Sequence, residues 1–121
     1  MRTVLCLSVL TAVLLVSAPL PVLAQKADLK AEALKDWGDM KNTMVKISNE
    51  MPDDKFGFKS TPAQRSYAEQ ILHVATANVG LLRALGAKAP APTINAKATA
   101  KAEVVKALED SYDYGTAAIN E

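Results

Sequence analysis

One imidazole is the side chain in this sequence best suited to chemistry. His73 is the only histidine, and Glu69 precedes it by four residues, which places both on one face of a helix. A protein zinc site uses about three or four protein ligands, and these two residues do not supply them. Glu69 also completes a Ser66-x-x-Glu69 capping box, a role that competes with metal binding. His73 is therefore the metal-ligand candidate, and a surface or partly buried histidine without metal is the competing interpretation.

Other catalytic arrangements lack the residues they need. Cys6 is the only cysteine, so Cys-x-x-Cys-His haem attachment and cysteine-based zinc sites are excluded. The sequence has no Gly-x-Ser-x-Gly elbow and no glycine-rich phosphate loop. Non-covalent haem held by His73 and a methionine of the first predicted helix is the one remaining alternative, but core packing explains methionines at helical spacing better. We therefore assign no catalytic residue and no cofactor-binding residue.

The first 24 residues have the organisation of a secretory signal peptide. Arg2 supplies a short positive region, and the run from Val4 to Val16 is almost wholly apolar. Two prolines then precede Val22-Leu23-Ala24, which predicts cleavage before Gln25. The apolar run is shorter than the roughly 20 residues of a membrane span. We expect an exported protein, periplasmic or extracellular, with no stable membrane insertion after cleavage.

Residues 25–121 are predicted to form one domain. Without the signal peptide, 13 Lys and Arg residues balance 13 Asp and Glu residues, and no cysteine remains. A neutral chain has no strong basic field to collect phosphates, so we expect no nucleic-acid partner. The missing cysteines exclude disulfides as a source of stability.

Apolar residues recur at intervals of three and four in three stretches, which predicts helices at about 27–51, 67–85 and 100–120. The predicted stripes are Ala33, Trp37, Met40, Met44, Ile47 and Met51 on the first helix; Tyr67, Ile71, Val74, Asn78, Leu81 and Leu85 on the second; and Val105, Leu108, Tyr112, Gly115 and Ile119 on the third. No stretch alternates as a strand does. The sequence therefore predicts an all-α bundle.

Short signals predict where these helices begin and end. Ser66 starts the second helix through its capping box, and Gly86 ends it because glycine readily adopts a left-handed conformation. Thr99 is the expected N-cap of the third helix. In the first connection Phe56 and Phe58 flank a glycine, so that one ring or both can fold back on the end of the bundle.

Several segments in this order resemble the DinB-like proteins. The matching segments are Asp36-Trp37, Glu50 to Phe56, Phe58 to Pro62, Arg65 to Ala75 with Asn78, and Thr99 to Val105 with Leu108 and Tyr112. The resemblance covers nearly all of residues 25–121. No single motif is diagnostic of that family, but the order and spacing together are fairly specific.

The resemblance implies an up-down-down-up four-helix bundle that holds a divalent metal, such as zinc or nickel, between its helices. In that family one ligand is a histidine of the second helix, which His73 matches, and a histidine pair on the last helix supplies the others. Related members include metal-dependent hydrolases and thiol-dependent transferases. This sequence has no second histidine and ends at Glu121, where the third helix of the family would finish. We therefore expect a bundle truncated to three helices, in which the missing ligands leave the metal-dependent activity lost.

A non-catalytic binding or assembly module is the alternative function. Three amphipathic helices leave one side of a four-helix arrangement uncovered, so that Met44, Leu81 and Leu108 are expected to be partly exposed. An apolar patch of this kind favours association. We expect either a homo-oligomer or a marginally stable helical monomer.

Overall fold

The computed structural model describes residues 22–121, with side chains from Asp28 onward. Helix α1 spans Val22–Glu50, α2 spans Tyr67–Ala84 and α3 spans Lys101–Asn120, with a short 3-10 helix at Asp53–Lys55. These residues contain no β-strand, which confirms the all-α prediction with three helices. The bounds of α2 and α3 agree with the predicted ones to within one residue. All but the last three residues of the predicted signal peptide lie outside the described part of the chain.

The three helices run up, down and down. Lys30 Nζ near the start of α1 donates to the carbonyl of Asn120 at 2.8 Å, and Lys101 Nζ at the start of α3 donates to the carbonyl of Asn49 at 2.9 Å. Helices α1 and α3 are therefore antiparallel. The Asn78 amide, in the middle of α2, donates to Ser111, in the middle of α3. Because the starts of α2 and α3 both lie against the first connection, these two helices are parallel.

Helix α3 is the centre of the fold. It packs along both α1 and α2, whereas α1 and α2 scarcely contact each other. Its Val104, Leu108 and Tyr112 are almost completely buried, and four of its five predicted stripe residues are buried while Ile119 is partly buried. The expectation that Leu108 is partly exposed is wrong, because its side chain lies where α1 and α2 both cover α3.

The predicted stripes of α1 and α2 are rotated relative to the observed contact faces. On α2 the buried residues are Ala68, Ile71, Leu72, Ala75 and Val79, whereas Leu81 and Leu85 are 66 % and 85 % exposed. On α1 the small Ser48 is fully buried while Met40 and Ile47 are about half exposed. Small side chains on the contact lines let each helix approach α3 closely, and large apolar residues off those lines, such as Ile47 and Leu81, are left outside the interface.

Lys101 joins the end of α1 to the start of α3. Its Nζ donates to the carbonyls of Asn49 and Met51, both at 2.9 Å, and lies 3.2 Å from a carboxylate oxygen of Asp53. The same amine sits 6.0 Å from the centre of the Phe56 ring. The last carbonyls of a helix have no partner within it, and a lysine amine satisfies them while complementing the negative end of the helix dipole.

Two predicted signals for the ends of α2 are confirmed. The Ser66 hydroxyl accepts from the Glu69 amide at 3.2 Å, and the Glu69 carboxylate accepts from the Ser66 amide at 2.6 Å. Gly86 has a φ of +95°, and the amides of Gly86 and Ala87 donate to the carbonyls of Arg83 and Leu82. That pair of bonds is a Schellman motif.

The predicted Thr99 cap is wrong, because Ala100 is the N-cap of α3 and makes no side-chain cap bond. Asn95 organises this connection instead. Its amide donates to Glu103 of α3 at 2.9 Å, and its side-chain oxygen accepts from the Lys97 amide at 3.1 Å.

Candidate functional site

His73 lies on the side of α2 that faces the connection between α2 and α3. Its side chain is exposed and borders a shallow hollow of about 230 Å³, together with Arg65, Glu69 and Thr76 of the α2 region and Ala96 of the connection. The Thr76 hydroxyl donates within the helix, to the carbonyls of Leu72 and His73. The imidazole is therefore open to solvent, and the Thr76 hydroxyl, the Arg65 guanidinium and the Glu69 carboxylate border the same hollow.

The Glu69 carboxylate beside His73 is already engaged. It accepts from the Ser66 amide and lies 3.5 Å from Lys59 Nζ. The Ser66 amide is the main reason that the pKa of Glu69 is below its ordinary value, with smaller contributions from the Ser66 hydroxyl and the positive charge of Lys59. This carboxylate is held as a helix cap, and a metal ion at His73 would have to compete for it.

The amides at the start of α2 are all satisfied as well. The Phe58 carbonyl accepts from Tyr67, the Phe56 carbonyl accepts from Ala68, and the Ser66 hydroxyl accepts from Glu69. An anion site at a helix N-terminus needs free amides. The start of α2 is closed to anions for that reason.

Within residues 22–121, no group of three or more His, Cys, Asp and Glu side chains is arranged to hold a metal ion. His73 as a ligand for zinc or nickel stays a prediction. The described residues around it would contribute one imidazole nitrogen and, after release from its cap, the Glu69 carboxylate.

Helices α1 and α2 both pack on α3 but scarcely on each other, which leaves a cleft between their facing flanks. The Tyr67 hydroxyl of α2 donates to the Ile47 carbonyl of α1 at 3.2 Å, which closes one end of the cleft. Val74 and Leu81 follow Tyr67 by two and four helical turns, and Met40 precedes Ile47 by two turns, so these side chains lie on the flanks that face each other. Because α1 and α2 scarcely contact each other, those flanks are not covered by one another. We call the surface formed by Met40, Ile47, Val74 and Leu81 the α1–α2 cleft.

Polar and aromatic contacts fix α1 and α2 on either side of α3. The Trp37 indole of α1 donates to the Tyr112 carbonyl at 2.8 Å, and its ring covers Gly115, which has no side chain to displace it. On the other side the Asn78 amide donates to the Ser111 hydroxyl at 3.2 Å, and this hydroxyl donates to the Leu108 carbonyl at 2.7 Å. Asn78 of α2 is thus bonded to the neighbouring helix α3. Burial raises the pKa of Tyr112, and the nearby Asn78 side chain partly offsets the effect.

A second cavity, of about 810 Å³, lies at the closed end of the cleft and is not anticipated by the sequence. Its apolar wall comes from Met51, Phe58 and Tyr67, and its polar side from Gln64, Arg65 and Gln70. We call it the loop-end pocket. Most of these residues belong to the connection between α1 and α2, whose path depends on burial of Phe56 rather than on a local motif.

Comparison with protein-family models, with curated proteins and with solved structures finds no match to this chain.

Proposed function

We propose that the chain is an exported DinB-like helical domain that works as a non-catalytic assembly module, and that a second copy of the chain covers the α1–α2 cleft. The observation that carries the proposal is the exposure of apolar side chains along both flanks of the cleft. Ile47 is 50 % exposed and Met40 53 % on α1, and Leu81 is 66 % exposed on α2. Scattered apolar side chains are ordinary on a protein surface, but several of them along two facing helix flanks are typical of an interface.

The energetic argument depends on how much of this surface association removes from water. Complete burial of a leucine or isoleucine side chain contributes about 1.5–3 kcal/mol. Three or four half-exposed side chains therefore offer several kcal/mol per copy. In a two-fold dimer both copies contribute the same patch, which doubles the gain against a single loss of translational and rotational freedom.

Sedimentation of residues 25–121 at micromolar concentration tests this proposal. The unchanged protein is expected to sediment as a dimer, and Leu81→Gln and Ile47→Gln are each expected to shift it towards a monomer. Ala102→Gln is the matched control, because Ala102 is exposed on α3 and does not border the cleft. A monomer at all concentrations, or equal dimer formation by all four proteins, would contradict the proposal.

A metal-binding DinB-like domain is the second candidate function. The up, down, down order of the helices supports it, because the resemblance implies that order for the first three helices. His73 is accessible, and the ion would be zinc or nickel. Metal analysis of the purified protein and of His73→Ala tests the idea, with Gln70→Ala as the control on the same helix. Stoichiometric metal that is lost only in His73→Ala supports the site, and a metal-free preparation rejects it.

A further inference from the structure

The loop-end pocket has a wall that is already formed in the free protein. The carbonyls of Phe56 and Phe58 accept from the first two amides of α2, and the Gln64 amide donates to the Thr61 carbonyl at 3.1 Å. These bonds hold the connection in one path against the start of α2. The Phe56 ring is buried and meets the Tyr67 ring edge to face, with centroids 5.2 Å apart. The volume of about 810 Å³ falls within the usual range of small-molecule sites.

The uncommitted polar groups of the pocket include several hydrogen-bond donors. Arg65 forms no ion pair with any described residue, and no described side chain bonds to the guanidinium. Gln64 accepts from the Ser60 hydroxyl through its oxygen, which leaves its NH₂ group to donate. Gln70 is exposed one turn further along α2. The nearest carboxylate, Glu69, is held by Ser66 and Lys59 and does not line the pocket.

The apolar side of the pocket is aromatic and thioether in character. Phe58 is 58 % exposed, whereas Met51 and Tyr67 are half-buried. An exposed phenyl ring beside a tyrosine and a methionine sulfur suits another aromatic ring, because offset stacking and sulfur–aromatic contacts both add to burial of area. Since Arg65 is the only charged one among the described residues that line the pocket, the complementary ligand carries a single negative charge.

We propose that the loop-end pocket binds a small aromatic carboxylate. The carboxylate accepts two hydrogen bonds from the Arg65 guanidinium, as planar carboxylates commonly do, with Gln64 and Gln70 donating at the sides. The aromatic ring packs against Phe58 and Met51. None of the four residues of the α1–α2 cleft lines this pocket, so the proposal does not depend on self-association.

Amide NMR titration of ¹⁵N-labelled residues 25–121 tests the proposal with 3-phenylpropionate as the probe. Two analogues dissect the ligand: propionate lacks the ring, and 3-phenyl-1-propanol lacks the charge. We expect saturable shifts at Phe58, Arg65 and Gln70 with 3-phenylpropionate, and binding at least about tenfold weaker with either analogue, which corresponds to about 1.4 kcal/mol.

Four variants complete the test. Arg65→Gln is expected to weaken binding about tenfold through loss of a charge-assisted hydrogen-bond pair, and Phe58→Ala at least about threefold. Arg83→Gln, an exposed arginine on the last turn of the same helix, should leave binding unchanged. Leu81→Gln, which tests self-association, should also bind the probe normally, so the two proposals can fail separately. Absence of saturable shifts, equal binding of the analogues, or an Arg65→Gln variant that binds normally would each overturn the pocket.

Discussion

Replacement of Gly115 by alanine tests the packing of α1 on α3, because the packing predicts the direction of the change in stability as well as its size. A methyl group at this position would lie 2.6 Å from the Trp37 indole nitrogen and closer still to two carbons of the ring. The ring cannot move away at small cost, because its N–H donates to the Tyr112 carbonyl at 2.8 Å and its face is tilted against the Tyr112 ring at 5.0 Å. Overpacking of this kind costs about 1–3 kcal/mol.

Helix propensity acts in the opposite direction. An alanine inside a helix is more stable than a glycine by about 0.8–1.0 kcal/mol when nothing obstructs the methyl group. Gly38 in α1 and Gly80 in α2 have no neighbouring atom within 4 Å of such a methyl group. Gly38→Ala and Gly80→Ala are therefore matched controls, and each should stabilise the protein by up to about 1 kcal/mol.

Urea unfolding followed by circular dichroism measures all three variants, and the fluorescence of Trp37, the only tryptophan, reports on the contact itself. We expect Gly115→Ala to lower the unfolding free energy by up to about 2 kcal/mol, the overpacking cost less the propensity gain. That loss corresponds to a melting temperature lower by several degrees in a domain of this size. The tryptophan emission should shift to longer wavelength as the ring is displaced. If Gly115→Ala stabilises the protein as much as Gly80→Ala does, with unchanged emission, the packing argument is wrong.

The remaining predictions concern the ends of the helices. Because the pKa of Glu69 is lowered in the folded state, its carboxylate stabilises the fold fully above its ordinary pKa of 4.5 and loses that contribution as the pH falls through the lower folded value. Glu69→Gln should therefore make the unfolding free energy depend less on pH in this acidic range. An unchanged pH dependence would contradict the assignment. Ser66→Ala should cost about 1 kcal/mol in urea unfolding through loss of the cap. Lys101→Met should cost about 1.5 kcal/mol because two carbonyls at the end of α1 lose a charged donor, with Lys97→Met as an exposed control that has little effect. Gly86→Ala should cost about 1 kcal/mol at φ +95°, and a neutral result in thermal unfolding would argue against the Schellman motif.

Local signals were sufficient to predict both ends of α2. A capping box needs only a serine and a glutamate three residues apart, and a Schellman stop needs only a residue that tolerates positive φ, so Ser66 and Gly86 carry the information themselves. The N-cap of α3 was mispredicted by one residue, as Thr99 instead of Ala100, and Asn95, which organises this connection, is five residues upstream of the cap. The Asn95 side chain bonds to Glu103 of α3 and to the Lys97 amide. The path of such a loop cannot be predicted from the residues next to the start of the helix.

The contact faces could not be predicted because they depend on which neighbour each helix meets. From the sequence alone, the apolar stripe of each helix is centred on its large apolar side chains, such as Leu81 of α2 and Ile47 of α1. In the fold, close approach to α3 selects Ala75 of α2 and Ser48 of α1, both fully buried, as the residues on the contact line. The loop-end pocket escaped prediction for a related reason, because its wall exists only once Phe56 is buried.

The rotation of α2 also decides what surrounds His73. With Ala68, Ala75 and Val79 turned towards α3, Leu81 is left on the flank of the cleft, and His73 falls on the opposite flank beside Ala96. A ligand set converging in the cleft would therefore not include the imidazole unless α2 turned about its axis. Such a turn would expose the buried alanine face, break the Asn78–Ser111 bond and lose the close packing on α3. The cleft and the imidazole are thus two separate surfaces of α2, and a partner that covers one leaves the other accessible.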